Sequence, residues 1–509
     1  MSGHKAIAAA SERIRDQIIY GKFAAINLHA GERMQRTARS PLIALSRRLA
    51  AAILTPDVRL VHQIQYEVEH MYALRDSVRS ALEFFAYDIA EGDVIITADS
   101  YGGGTRGQVL TMIMPLFVEG ELALFPALRV QISDLGGEIP GGFNPLAYEQ
   151  WQESMRLTPV KLYVGGKLQR DVHRFLLSNS RTAEWFGADL RALYACCQDM
   201  QRMLTELFDQ YGTAAAAKAA DAMIAHTEAE ARRFLRQAVP AARGSGSSAL
   251  PDSCGSGKIK VEASWSEDRL VLDFTGTDEQ INGPYNSTAA LTKSVAAAAA
   301  LAGCLDELPV NEGLLSALAF KLPEGSLVSP QFPSATALSG HATAHAIAAA
   351  VTEALRAAGG TAEQFPAIHG GGPWVMLYEP VGSPQVIPQP MEPGYAEVPE
   401  GWGPAALFGS GRLLSAEELE TGRGFRLEKR ERQPDGSMEV ELKILSGTWE
   451  YQAFPYGSGS LRIERKDAPS NTENERAGSF GGATVSAGHV FRLKYAGGLA
   501  AKEVSSRGD

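Results

Sequence analysis

The residues best able to do chemistry gather around a glycine-rich turn. The segment GDVIITAD, residues 92–99, reads as a strand and runs straight into YGGGTRG, which places Asp99, Gly102, Gly103, Gly104 and Arg106 close together along the chain. Glycine loops of this kind let backbone N–H groups approach an anion closely. Asp134 and Glu138 lie in a second glycine-bearing loop, QISDLGGEIPG, after an apolar strand. His341 and His345 stand at i and i+4 in GHATAHAI, a spacing that puts both rings on one face of a predicted helix, as in some zinc sites. No glutamate lies between them and no third ligand is evident, so they read as helix histidines. His369, before Gly370-Gly371-Gly372, reads as a loop residue. Cys196, Cys197, Cys254 and Cys304 form no C-x-x-C pair and read as small buried hydrophobes of a reduced protein. There is no nucleophile elbow, P-loop or dinucleotide fingerprint, and no catalytic residue is assigned.

The elements that must position these residues follow from hydrophobic patterning. Residues 7–20 read as an amphipathic helix. LAAAILTPDVRLV, residues 49–61, reads as a hairpin, and residues 75–87 as a helix. MIMPLFVEGELALFPALRVQI reads as a strand pair turning at Glu119-Gly120-Glu121. Residues 190–238 are alanine-rich and helical, without a sustained heptad. The Gly, Ser and Pro content of residues 241–258 reads as a linker. KIKVEASWSEDRLVLDFTGT alternates with period two and turns at Ser266-Glu267-Asp268. Helices are expected near 289–305 and 342–358, with a strand at 318–322. Residues 370–402 look loop-like, residues 422–456 return to hairpins, and the polar tail beyond Lys466 is expected to be partly disordered. The expected domains are therefore an α/β region over 1–240, a Gly/Ser linker over 241–258, an α/β block over 259–360, a β-rich region over 361–465 and a tail over 466–509.

The chain has 509 residues, 45% of them hydrophobic and 21% charged, which suits a soluble globular protein of several domains. A formal net charge of -11 argues against a nucleic-acid binder. No stretch reaches the length of a membrane span, and the N-terminus lacks the apolar core of a signal peptide. The expected location is the cytoplasm.

Several segments, in order, resemble one family: hydantoinase B, the matching half of 5-oxoprolinase, and the alpha-type subunits of acetone and acetophenone carboxylases. The family pattern G-D-V-x-x-x-N-D-P-Y-x-G-G-T-H-x-x-D appears as GDVIITADSYGGGTRGQV, and H-H-A-D-I-G-G-x-x-P-G as QISDLGGEIPG. TPVKLY, DFTGTDEQINGPYN, PVNEG and PEGSLVSP match the next motifs. Together these matches span roughly residues 40–355, and the C-terminal third resembles the family only faintly.

This resemblance implies a mixed α/β (α+β), multi-domain hydantoinase B-like fold. In the family a divalent metal is held by an Asp of the first hairpin, the His and Asp of G-G-T-H-x-x-D and the first His of H-H-A-D. Here those positions are Arg48, Arg106, Val109 and Gln131. Arginine offers no lone pair and valine no donor atom, so the resemblance implies a degenerate metal site and no metal in this chain. Two arginines in one pocket repel unless an anion lies between them. Arg48 and Arg106 are therefore expected to pair with Asp99 or Asp134, or to bind a small anion beside Gly102-Gly103-Gly104. The implied partners are a hydantoinase A-like ATPase subunit and an intact hydantoinase B-like paralogue, which would carry ATP and the divalent metal. Three functions follow: a structural subunit of an ATP-dependent ketone carboxylase-like complex; a metal-free cyclic-amide hydrolase component using Asp134, Glu138 and the two arginines; or a stand-alone anion-binding scaffold.

Overall fold

An antiparallel sheet built from eight strands organises the N-terminal half. The computed structural model describes residues 2–44, 47–86, 88–250, 254–305 and 307–365, with further segments between 374 and 495 that include the strands named below. The first sheet contains β1 (Leu49–Leu54), β2 (Leu60–Gln65), β3 (Val94–Ala98), β4 (Val109–Ile113), β5 (Leu116–Val118), β6 (Glu121–Gln131), β7 (Leu157–Val164) and β8 (Lys167–Leu168). Its order is β2-β1-β6-β4-β3-β7-β8, with β5 paired to β6. The helices of the chain are α1 (Ser2–Thr37), α2 (Pro41–Ala44), α3 (His70–Phe84), α4 (Gln150–Glu153), α5 (Arg170–Ser178), α6 (Ala183–Tyr211), α7 (Thr213–Ala238), α8 (Ala289–Leu301), α9 (Glu312–Ser316) and α10 (Thr343–Ala357).

Both faces of this sheet are covered, which explains why β1 reads as an unbroken apolar run rather than an alternation. Leu49, Ala51 and Ile53 join one core with Ile19, Phe23 and Met34 of α1 and Met200 and Leu204 of α6. Ala50, Ala52 and Leu54 join a second core with Leu74 and Val78 of α3. Helix α1 runs well past the expected residue 20, because apolar positions continue at helical spacing through Phe23, Ile26, Ala30 and Met34, all buried. The expected single helical stretch over 190–238 is two helices. Gly212 breaks it at φ 83°, a backbone conformation that glycine adopts at little cost.

A second sheet, order β12-β11-β10-β9, contains β9 (Arg243–Ala249), β10 (Lys258–Ser266), β11 (Arg269–Asp273) and β12 (Leu318–Lys321). Only β11 and β12 run parallel. Helix α10 lies on β9 and β10, α8 packs on α10, and α3 packs on α8. Strand β9 corrects the expected linker over 241–258. A Cβ at Gly244 or Gly246 would collide with the Ala354 or Ala350 carbonyl of α10, so the small residues mark close contact with a helix rather than chain freedom. The second core also draws on both sides of that segment, from Leu42 to Phe143 and from Ile259 to Phe365.

Two four-stranded antiparallel sheets follow. One orders β14 (Gln389–Met391), β13 (Trp374–Tyr378), β17 (Thr448–Phe454) and β19 (Thr484–Ser486); the other orders β15 (Phe425–Arg432), β16 (Met438–Ile444), β20 (Val490–Tyr495) and β18 (Leu461–Arg465). The strands expected to flank Pro434-Asp435-Gly436 pair antiparallel as β15 and β16, while the turn residues lie outside the described residues. Strands β13 and β14 fall in the expected loop, and β19 and β20 in the expected disordered tail. Short apolar or alternating runs such as WVMLY and VFRLKY supply the strand pattern there. Among the described residues no helix is long and apolar enough to cross a membrane.

Candidate functional site

Along β6 the face turned toward α3 changes character. Phe125 and Ala127 belong to the apolar core, and two residues further in each step come Arg129 and Gln131, both fully buried. Strand β4 sets Thr111 opposite Arg129 and Val109 opposite Gln131. Just before β1, the Arg48 carbonyl accepts the Gln131 N–H at 3.0 Å. The segment between β2 and α3 delivers Glu67 and Glu69, and α3 itself brings His70 and Ser77. The result is a polar centre closed inside the sheet–helix interface, where Arg48, Glu67, Glu69, His70 and Arg106 are each at most 4% exposed.

Two guanidinium–carboxylate pairs organise it. Arg48 Nη1 donates to Gln131 Oε1 at 2.9 Å, and Arg48 Nε lies 3.5 Å from Glu67 Oε1. Arg106 Nη2 donates to Glu69 Oε1. His70 Nε2 sits 3.4 Å from Glu67 Oε2 and 3.9 Å from Glu69 Oε1. Arg129 Nη1 donates to Ser77 Oγ at 3.1 Å. The backbone at Gly340 closes over the second pair: a Cβ there would lie 3.2 Å from Glu69 Oε2 and 3.3 Å from Arg106 Nη1. Burial pushes the Glu67 carboxyl up, but Arg48, His70 and Arg106 together outweigh burial and hold it below the usual carboxylate range. Burial pulls Arg129 down to about 10, with Arg106 adding to the effect and Glu69 and Asp76 opposing it.

The positions singled out by sequence resemblance therefore do meet. Arg48, Val109 and Gln131 adjoin one another, and Arg106 reaches the same centre through Glu69. Their chemistry does not suit a divalent cation. Arg48 and Arg106 have no lone pair, Val109 has no donor, and the Gln131 side-chain oxygen accepts from Arg48. Glu67, Glu69 and His70 do present ligand atoms within 4.8 Å of one another. Both glutamates, however, face guanidinium groups, which hold the positive charge a metal would need to displace. The four aligned positions, Arg48, Arg106, Val109 and Gln131, do not themselves fit a divalent ion.

The expected partners of the arginines are corrected. Asp99 accepts from Arg156 Nε and Nη2 at 3.1 and 2.9 Å, and Asp134 accepts from Arg181 Nη1 at 2.9 Å and from its backbone N–H at 2.7 Å. Both are claimed by arginines whose side chains are 32% and 35% exposed. Glu138 accepts from Asn144 and Gln152, so Asp134 and Glu138 do not join Arg48 and Arg106. The loop Gly102-Gly103-Gly104 is not an anion cradle either. Gly102 and Gly104 donate to the Asp99 carbonyl, and a Cβ at Gly103, φ 84°, would collide with the Asp76 carbonyl of α3. Its glycines permit close packing on a helix. His341 ends a short turn before α10 rather than sharing that helix with His345, and burial pulls His345 down to about 3. His369 lies outside the described residues. The four cysteines are buried and none is in a disulfide, with Cys196 pushed up to about 11 and Cys304 to about 12 by burial, which suits packing rather than nucleophilic attack.

Sequence reasoning missed Glu67, Glu69, His70, Arg129 and Glu153. One signal was present: Arg129 is the only charged residue in the run LALFPALRVQI. Glu153, fully buried at the end of α4, accepts from the backbone N–H groups of Thr336 and Ala337 at 2.7 to 3.0 Å, and burial pushes its carboxyl up to about 8.

The structure superposes on an ATP-dependent caprolactamase from Pseudomonas jessenii with a TM-score of 0.83 at 22% identity, covering 95% of this chain and 90% of that one. A nucleotide-free acetone carboxylase gives a TM-score of 0.79 at 15% identity, covering 95% and 74%. In sequence, caprolactamase subunit beta of Pseudomonas jessenii is 30% identical over 59% of this chain and 52% of its own length. 5-Oxoprolinase 1 of Arabidopsis thaliana is 26% identical over 61% of this chain and 26% of its own length. The matched part thus spans about half of the first relative and a quarter of the second. The family model for hydantoinase B/oxoprolinase matches residues 12–437, and the chain belongs to the hydantoinase B/oxoprolinase family.

Proposed function

We propose that this chain is a non-catalytic hydantoinase B-like subunit of a heteromeric ATP-dependent enzyme, in which ion pairs replace the metal. The observation that carries this reading is the closed centre itself. Arg48 and Arg106 occupy positions where the resemblance puts metal ligands, and each is matched by a buried glutamate. A hydantoinase A-like ATPase and an intact B-type paralogue would supply ATP chemistry and the metal. The substrate would be a cyclic amide or a ketone. Similarity to a caprolactamase in both sequence and structure supports the cyclic amide first.

The test is affinity purification of the tagged chain from its native host, with mass spectrometry of co-eluting proteins and metal analysis of the separated chain. The expected result is an A-type ATPase, a second B-type chain with intact His and Asp ligands, and no stoichiometric metal on this chain. Recovery of this chain alone, or with a full complement of divalent metal, would overturn the proposal.

A further inference from the structure

The closed centre is not balanced in charge, and the imbalance has a location. Three arginines, Arg48, Arg106 and Arg129, face two glutamates, Glu67 and Glu69, each paired with one of the first two arginines. Arg129 is left over. Asp76, the next carboxylate toward it, is engaged by Arg75 at 3.1 Å and by Lys293 at 3.5 Å. Arg129 itself is fully buried and donates only from Nη1, to the neutral hydroxyl of Ser77. Its Nε and Nη2 have no hydrogen-bond partner among the described residues. Leaving a buried cation in this state is costly unless an anion or polar group meets it.

The two orphaned atoms carry further information. Nε and Nη2 form one edge of the planar guanidinium, whose two N–H bonds point in parallel. That edge matches the two oxygens of a carboxylate rather than a single spherical ion. Among the neighbouring groups, the donors Arg106 Nε and Gln131 Nε2 likewise have no hydrogen-bond partner among the described residues, as do Glu67 Oε2 and the two ring nitrogens of His70. A water molecule could satisfy one N–H but would leave the charge in place.

We infer that the centre binds one small planar monoanion of the carboxylate class, held bidentately on the Nε–Nη2 edge of Arg129. The site is internal, so the ligand is short, on the scale of formate or acetate. This inference does not depend on the subunit role proposed above, because it rests on charge and geometry within the chain.

Thermal unfolding of the full chain, with sodium formate replacing sodium chloride at constant ionic strength, tests it. The unfolding midpoint of the wild type should rise with formate and then saturate, as for any ligand that binds only the folded state. Arg202→Met, at an exposed surface arginine, should keep that dependence, and Arg129→Met should lose it. Equilibrium dialysis of the wild type against labelled formate should give close to one bound per chain, displaced by acetate; this decides the matter if Arg129→Met fails to fold. Absence of bound formate, chloride matching formate in effect, or an unchanged dependence in a folded Arg129→Met variant would each overturn the inference.

Discussion

A guanidinium as buried as that of Arg106 stays in the fold because Glu69 meets it, and Glu69 has the same need of Arg106. Removing one partner strands the other. Arg106→Met is therefore expected to destabilise the chain by roughly 3–5 kcal/mol, and Arg106→Met combined with Glu69→Gln to recover most of that loss. A double-mutant cycle by urea denaturation checks this; simple additivity of the two changes would show that the pair does not act as a unit. Glu153 gives a second expectation at the same scale. Its carboxyl is pushed from 4.5 in the unfolded reference up to about 8, so the folded state holds the proton longer. Stability from this group is complete below about 4.5 and is lost as pH rises toward 8. Asp189, pushed up to about 6 by burial, acts in the same direction but is spent at lower pH. Between neutrality and pH 9, Glu153→Gln should gain stability relative to the wild type, since its amide oxygen still accepts from Thr336 and Ala337. Denaturation midpoints across that range should diverge, and parallel curves would refute the assignment.

Secondary-structure elements show which parts of this architecture sequence makes legible. Gly246→Ala should cost on the order of 1–3 kcal/mol, because the added methyl group meets the α10 backbone and strand and helix must part. A melting temperature equal to the wild type would mean that β9 and α10 are not in such close contact. In sequence this same strand reads as a linker, since glycine and serine look alike whether they free a chain or let a helix approach. The hairpins β1–β2, β5–β6, β10–β11 and β15–β16 were legible because polar turn residues interrupt apolar runs locally. The centre was half legible. Arg48, Arg106, Val109 and Gln131 could be placed through ordered motifs, but the partners of the arginines could not. Arg106 and Glu69 are 37 residues apart, and only the packed sheet brings them together. Nearby Asp99 and Asp134 looked equally suitable as charges until the fold assigned them to Arg156 and Arg181.

At the scale of the whole chain, one sheet separates two cores, and alternate residues of β6 serve different sides. Leu128 and Val130 point into the layer of α1 and α6, while Arg129 and Gln131 point toward α3. Slipping this strand by one position would drive a guanidinium among leucines and turn apolar side chains into the polar centre, at a cost of several kcal/mol. An all-apolar β6 would lose far less from the same error. The buried charges thus give the folding chain a ruler: a misaligned β6 is penalised at once, and proofreading of assembly becomes a service these residues perform whether or not any chemistry takes place beside them.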